Sequence, residues 1–550
     1  MHKSMMGYLD KACARNPDAV WLRDRQGEVF EEWTWTQARD EINAAAAWLE
    51  QRYGNNQANV ALLSRNRAHW MLADLALMAS GNVSIPLFTT LVADTAQYIL
   101  EFTDARALIL GEADNWNAVR QVIPDGVDII TLPGVSIDAA HIPWEQIISE
   151  AGTAQPANQP APADLVSIVF TSGTTGAPKG VMQTHDSLTV PMQRICKYTE
   201  VRRNPRFLSY LPLSHIAERQ LVMVQSILQN GSVTFNESAA TLIRDMTDTR
   251  PNFFFGAPRV WEQLQQKVLA QFGSRTALDQ ALQQDREGTS LAVRQTLGLD
   301  QADYMLTAAA PTPPALIAWF EELGLPLMEG FGQTEIMAVS LNTSVSRRIG
   351  SIGRVPPDVE MKITEEGELA FKAEGAAIGY YKMPEQSSET FRDGWVHTGD
   401  RARIDADGFL YLTGRVKDYF KTIQGKFVAP APIESAFAAN EWTEQLCLLG
   451  RGYSKTVIVC VLSEVARELD PAEVTAGLQQ HIAGINAEVE KHARIGAVII
   501  TREPWTIENT MLTPTLKIRR NEVEERFGTR AAELANQAAV TGTVVVEWDD

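Results

Sequence analysis

The sequence predicts an α/β fold organised as one large domain followed by a smaller one. Three observations carry that expectation. The chain has 550 residues, too many for one ordinary hydrophobic core, so two or more domains are the default. Segments of helical periodicity alternate with short apolar runs of strand length through the first part. After Gly414 the alternation starts afresh in a shorter unit.

Taken in order, Ile42, Ala45, Ala46 and Leu49 recur at helical spacing, and Gly54 follows as a stop signal. Asn59 to Leu63 reads as a buried strand, and about Trp70 to Ala79 as an apolar helix ended near Gly81. Val83 to Leu87 and Ala107 to Leu110 read as further strands, although Pro86 interrupts the first. Residues 151–163, rich in Ala, Pro, Gln and Asn, read as a surface linker. The apolar run Leu165 to Phe170 follows directly. An α/β segment continues to about residue 345, and short strands with turns fill 350–414. The C-terminal unit is expected to hold helices near 431–440 and 473–492 and strands near Thr456–Leu462 and Val498–Thr501. Residues 540–548 read as an extra strand. No internal repeat is visible.

Hydrophobic residues make up 45% and charged residues 21%, a globular balance that excludes a disordered chain. The formal net charge of -19 argues against nucleic-acid binding, which needs clustered Lys and Arg. It also argues against electrostatic docking on anionic lipid, while leaving room for peripheral membrane contact of another kind. Cys13, Cys196, Cys447 and Cys460 lack metal-ligand spacing and are too few for a disulfide framework. The first residues lack the apolar core of a signal peptide, and no apolar run is long enough to span a bilayer. The expectation is a cytoplasmic monomer or homodimer whose partners are small molecules.

The strongest local signal is Thr171-Ser172-Gly173-Thr174-Thr175-Gly176-Ala177-Pro178-Lys179-Gly180, directly after a buried strand. Its three glycines let several backbone N–H groups face one point, its four hydroxyls add donors, and Lys179 adds a point charge. That combination suits an oligophosphate. It is not the Walker pattern, because Gly180 stands where Ser or Thr should follow the lysine. A flexible surface turn is the plain alternative.

At these residues the sequence resembles the adenylate-forming acyl ligase superfamily, and further pieces continue the resemblance in order. They are Leu211-Pro212-Leu213-Ser214-His215, Thr307-Ala308-Ala309-Ala310-Pro311, Gly330-Phe331-Gly332-Gln333-Thr334-Glu335 and Gly379-Tyr380-Tyr381. After them come Trp395 to Asp400, Gly414-Arg415-Val416-Lys417-Asp418 and Thr513-Pro514-Thr515-Leu516-Lys517. The order is far more specific than any one piece. Glu218-Arg219, Phe255 to Glu262 and the Thr-Pro-Thr-Leu-Lys ending look like the long-chain fatty acyl-CoA synthetase branch.

The resemblance implies a large multi-subdomain N-terminal α/β domain over 1–414, a hinge over 415–418, and a small mobile α+β C-terminal domain over 419–550. It implies ATP, Mg2+ and CoA as cofactor and co-substrates, with a fatty acid as the acyl donor. Thr171, Ser172, Gly173, Thr174, Thr175, Gly176 and Lys179 would hold phosphates. Ala309, Ala310, Pro311, Gly330, Phe331 and Gly332 would line the adenine site, with the Phe331 ring as a stacking face. Glu335 offers a hard oxygen to magnesium, with Thr171 beside it, and Thr334 a hydroxyl to the α-phosphate. Asp400 and Arg415 would contact the ribose, unless they only pair with each other. His215 would sit at the mouth of the acyl pocket, unless it is structural. Lys517 would stabilise charge developing at the α-phosphate.

The two half-reactions need two arrangements of the small domain, with Lys417 as the hinge and the loop around Gly425 serving the CoA arm. Three departures from the family pattern stand out. Ala308 replaces a frequent glycine, Gln424 replaces a usually small residue in the CoA loop, and 540–548 extend beyond the lysine motif. Phe253, Phe254 and Phe255 could wall an acyl tunnel or fill a buried strand. The expected function is ATP-dependent conversion of a medium- or long-chain fatty acid to acyl-CoA. The rivals are another acyl acceptor, either a carrier protein or an intramolecular hydroxyl, and a non-catalytic nucleotide- or lipid-binding relative.

Overall fold

The computed structural model describes residues 3–54, 57–171, 178–440, 442–507, 509–513 and 517–549. The chain divides into two compact units. The larger comprises Met1–Met361, Ala370–His397 and Ala406–Leu410, and the smaller Lys362–Leu369, Thr398–Asp405 and Tyr411–Asp550.

The larger unit is built on a seven-stranded sheet. Its order is Ile142–Pro143, Asp128–Thr131, Ala107–Leu110, Asn59–Leu63, Val83–Leu87, Leu165–Thr171 and Lys179–Thr184. Every neighbouring pair is parallel except the last. Val83–Leu87 and Ala107–Leu110 are buried throughout, and Asn59–Leu63 in all but its first residue, which is why they read as apolar runs rather than alternating ones. Pro86 is tolerated inside one of them. The ladder toward Leu165–Thr171 matches Ser84 to Ser167 and stops short of it.

The helix Trp35–Tyr53 starts at a capping box, with Thr34 accepting from the Gln37 N–H and Gln37 reaching back to the Thr34 N–H. Ala68–Ala79, apolar but for His69 and Asp74, is buried along its whole length. Residues 151–163 are irregular after the helix end at Ala151.

A second sheet of this unit runs Phe253–Gly256, Tyr304–Thr307, Leu327–Gln333, Ile336–Leu341. Its first three strands are parallel and its last two form a hairpin. A third sheet joins Arg206–Ser209, Ser232–Phe235, Val20–Gln26 and Val29–Thr34. In the smaller unit one sheet runs Thr443–Leu449, Thr456–Leu462, Ile495–Thr501, Val545–Asp549, accompanied by the helices Pro430–Phe437, Pro471–Glu488 and Arg520–Thr541. The strand expected over 540–548 forms at Val545–Asp549, parallel to Ile495–Thr501, while Val540 and Thr541 still belong to the helix Arg520–Thr541 that ends at Gly542. The expected helix over 473–492 ends earlier, because Val489 turns extended.

Candidate active site

Leu165–Thr171 and Lys179–Thr184 are antiparallel, with Thr171 opposite Lys179. Ser172, Gly173, Thr174, Thr175 and Gly176, which connect them, lie outside the described residues. Gly180 is required by packing, since a Cβ there would come within 2.6 Å of Ile168 Cγ2. The outer edge of Lys179–Thr184 is covered by the segment around Tyr380. Met182 donates its N–H to Gly379 O at 2.9 Å, and Tyr381 donates to Gly180 O at 2.8 Å.

This covering segment organises the site. Tyr380 is 5% exposed. The Lys179 ammonium lies 4.8 Å from the centre of its ring, a cation–π distance. Its hydroxyl donates to Glu335 Oε1 at 2.7 Å. The Ala377 N–H donates to the Glu335 carbonyl at 2.9 Å. From the strand itself, Gln183 Nε2 donates to the Thr334 carbonyl at 2.7 Å, and the Ser187 hydroxyl donates to Gln183 Oε1 at 2.7 Å. Lys179, Thr334 and Glu335, distant in sequence, are thus brought together by Tyr380 and Gln183, two residues that sequence reasoning gave no role.

Thr334 and Glu335 occupy the turn between Leu327–Gln333 and Ile336–Leu341. A Cβ on Gly332 would meet the Ala338 N and Met337 Cα at 2.9 Å, so the hairpin closes only over glycine. Gly330 and Phe331 pair with Leu341 and Ser340, and the Phe331 ring lies 5.9 Å from that of Phe371. Ala309, Ala310 and Pro311 are exposed just beyond Tyr304–Thr307. That strand is parallel to Leu327–Gln333, which holds Gly330, Phe331 and Gly332. Ala309 holds φ +73°, a left-handed conformation that glycine adopts freely.

His215 is half-buried, and its Nδ1 accepts the Ala217 N–H at 3.1 Å, capping the turn Ile216–Glu218. Glu218 and Arg219 that follow are core residues. Arg219 donates to both oxygens of Asp74, at 2.9 and 2.5 Å, and to the Ser167 hydroxyl at 2.6 Å. Burial pushes the Glu218 carboxyl up to about 8, partly offset by hydrogen bonds from Ser209 and the Tyr210 and Leu211 backbone. Phe253, Phe254 and Phe255 are at most 5% exposed. Phe253 stacks on Tyr304 and Phe254 on Tyr210, as in a buried strand.

In the smaller unit Arg415 Nε donates to Asp400 Oδ1 at 3.0 Å and Arg415 Nη1 to the Thr398 carbonyl at 3.1 Å. Asp400 is buried and Arg415 stays 44% exposed. Lys417 is exposed. Gly425 turns at φ +74° in the hairpin of Phe420–Lys421 with Phe427–Val428, where Ile423 and Phe427 are exposed. Pro514, Thr515 and Leu516 lie outside the described residues. On either side of them Thr513 and Lys517 hold each other: the Thr513 N–H donates to Lys517 O at 2.8 Å, and the Lys517 N–H to Thr513 Oγ1 at 3.1 Å. The Lys517 side chain is exposed. Arg520, which sequence reasoning left unassigned, anchors this segment by donating to Glu434 at 2.7 Å and Leu448 O at 2.6 Å.

Comparison with known proteins gives the same picture from another direction. A long-chain-fatty-acid–CoA ligase of Mycobacterium bovis is 27% identical over 95% of each chain. Fatty acyl-CoA synthetase A of Dictyostelium discoideum is 26% identical over 90% of this chain and 84% of that relative. Among solved structures, an anthranilate CoA ligase in complex with anthranoyl-AMP has a TM-score of 0.76 at 21% identity, covering 98% of both chains. The A-PCP didomain of a carboxylic acid reductase from Segniliparus rugosus, in complex with AMP, has a TM-score of 0.82 at 22% identity, covering 98% of this chain and 83% of that one. These structures share the fold. The family model of the AMP-binding enzyme matches residues 9–381, which hold Lys179, Thr334, Glu335 and Tyr380, and that of its C-terminal domain matches 417–538, which hold Lys517. The chain therefore belongs to the AMP-binding enzyme family.

Proposed function

We propose that the protein converts a medium- or long-chain fatty acid to its acyl-adenylate with ATP, and then to acyl-CoA. In the first step a carboxylate oxygen attacks the α-phosphorus and pyrophosphate leaves. In the second a thiol sulfur attacks the acyl carbonyl and AMP leaves. The observation that carries this reading is the Lys179–Tyr380–Glu335 chain beside the strand that leads into the glycine- and hydroxyl-rich loop. Two anions must meet in the first step, so positive charge and fixed geometry are what the site has to supply. In this reading Lys179 holds phosphate, Thr334 bonds the α-phosphate, and Asp400 and Arg415 orient the ribose. Lys517 stabilises the adenylation transition state, Lys417 in the hinge over 415–418 lets the domain over 419–550 change role, and the loop around Gly425 admits the CoA arm.

Among the described residues no group of three His, Cys, Asp or Glu could hold a metal ion by itself. Magnesium keeps waters and phosphate oxygens and takes one or two protein ligands. Glu335 and Thr171 would be those ligands here, and the ion when bound would neutralise phosphate charge. The fatty substrate is supported by the names of relatives at 26–27% identity.

Pyrophosphate release across a panel of acids, with products resolved with and without CoA, tests the proposal. Octanoate and longer acids should be active, and thioester should form only with CoA. Lys517→Ala should lose adenylation yet still turn supplied acyl-adenylate and CoA into thioester. Activity confined to acetate or aromatic acids would overturn the substrate class.

A further inference from the structure

The helices Met5–Arg15, His185–Tyr198 and Gln225–Gln229 pack against one another in the larger unit and leave a cavity of about 350 Å³. None of the residues assigned to the active site lines it. Lys11 and Arg15 come from the first helix, Gln193 and Lys197 from the second, and Ile227 and Leu228 from the third. The volume lies within the range of small-molecule sites.

The charge of this cavity is unusual for a chain of net charge -19. Lys11 and Arg15 stand one helical turn apart, where like charges oppose helix formation. Among the described residues none of the three cations forms an ion pair with a carboxylate. Asp10, on the same helix as Lys11, pairs with Arg39 at 2.8 Å. Asp358, the acid that acts on Lys197 at a distance, pairs with Arg194 at 2.8 Å. The Lys197 ammonium instead lies 4.9 Å from the centre of the Tyr198 ring. The side-chain nitrogen of Gln193 is buried with no hydrogen-bond partner among the described residues, a state that buried donors rarely keep. Beneath these polar groups Ile227, 2% exposed, gives an apolar floor.

We propose that this cavity is a second ligand site, for a phosphate monoester carrying a small apolar body. Three cations and an amide donor match a dianion with several acceptor oxygens better than a monocarboxylate, and the floor takes the apolar body. The same chemistry is offered by a soluble ester and by the headgroup of phosphatidic acid. The site does not depend on the adenylation reading.

Calorimetric titration of the full chain with phenyl phosphate, in saturating AMP to occupy the nucleotide site, tests the proposal. Vesicle flotation on phosphatidylcholine with and without phosphatidic acid distinguishes the source. One saturable event is expected, tighter for phenyl phosphate than for inorganic phosphate and weakened about tenfold or more by K11Q/R15Q. Gln193→Leu, which removes the amide donor from another helix, should weaken it as well. Thermal melts check that the variants fold. Capture only by phosphatidic-acid vesicles, lost in K11Q/R15Q, would support the site and assign the headgroup as its ligand. Binding to neither source, or binding indifferent to K11Q/R15Q and Gln193→Leu, would overturn it.

Discussion

Arg219 and Arg415 each bind an aspartate, yet the two pairs stand in different media. Arg219 and Asp74 are both 0% exposed, and the guanidinium is further held by Ser167. Arg415 is 44% exposed beside an Asp400 that is 10% exposed. Both arginines sit in motifs that the sequence marks in the same way. The buried pair has no face left for a ligand, so it acts as scaffold between a helix and the seven-stranded sheet. The open pair keeps a guanidinium edge in solvent, where a sugar or phosphate can reach it.

Breaking each pair is the sharpest test of that contrast. Arg219→Met strands a buried carboxylate and should destabilise the fold by about 3–5 kcal/mol, read by chemical denaturation. Arg415→Ala should change stability by less than about 1 kcal/mol while raising the KM for ATP. Equal stability losses would erase the distinction.

Acid–base behaviour sharpens it next, because buried groups of opposite sign should tilt stability in opposite directions. Burial holds the His185 imidazole down to about 4, with Asp164 opposing, and Nδ1 accepts the Met5 N–H at 3.2 Å. Its stabilising share is complete above the ordinary 6.5 and is lost as pH falls toward 4. Glu218 is raised to about 8 from 4.5, so its share is complete below 4.5 and is lost as pH rises toward 8. Each contributes at most about 1.4 kcal/mol per pH unit. Glu218→Gln should flatten the alkaline-side loss and leave the acid-side loss in place. A stability profile unchanged by that substitution would count against it.

A smaller effect is expected at the working surface. Tyr380→Phe keeps the ring beside Lys179 and removes only the hydroxyl that donates to Glu335. Loss of a hydrogen bond to a charged group should slow pyrophosphate release about tenfold, with little change in stability. The smallest change concerns Ala309, held at φ +73°. Ala309→Gly should relieve strain and raise stability by about 1 kcal/mol or less, measured by the same denaturation. A clear loss would show that the alanine methyl contributes more than its backbone costs.

How far the sequence could be read depended on the range of the interaction. Asn59–Leu63 and Thr456–Leu462 were legible to the residue, because a buried strand needs only a short apolar run between turn signals. The ordered motifs were legible as a family pattern, and with them the positions of Lys179, Thr334 and Glu335. Tyr380 was visible within Gly379-Tyr380-Tyr381 but not its task, since its partner Glu335 is 45 positions away. Glu218 and Arg219 were visible as a charged pair, with nothing local to say that both are buried. The run Phe253–Phe255 stayed ambiguous for the same reason, until the rings of Tyr210 and Tyr304 against it made it a core strand.

By itself, then, the sequence determined the α/β class, the existence of a second unit and the order of the chemistry-bearing motifs, because periodicity and motif spacing are local properties of a chain. Only the tertiary structure decided which charges are scaffold and which are exposed, that Tyr380 and Gln183 join the strand Lys179–Thr184 to the Thr334–Glu335 turn, and that Lys11, Arg15 and Lys197 share one cavity. Burial, dielectric and hydrogen-bond partnership come from residues far apart in sequence, so they exist only once the chain has folded.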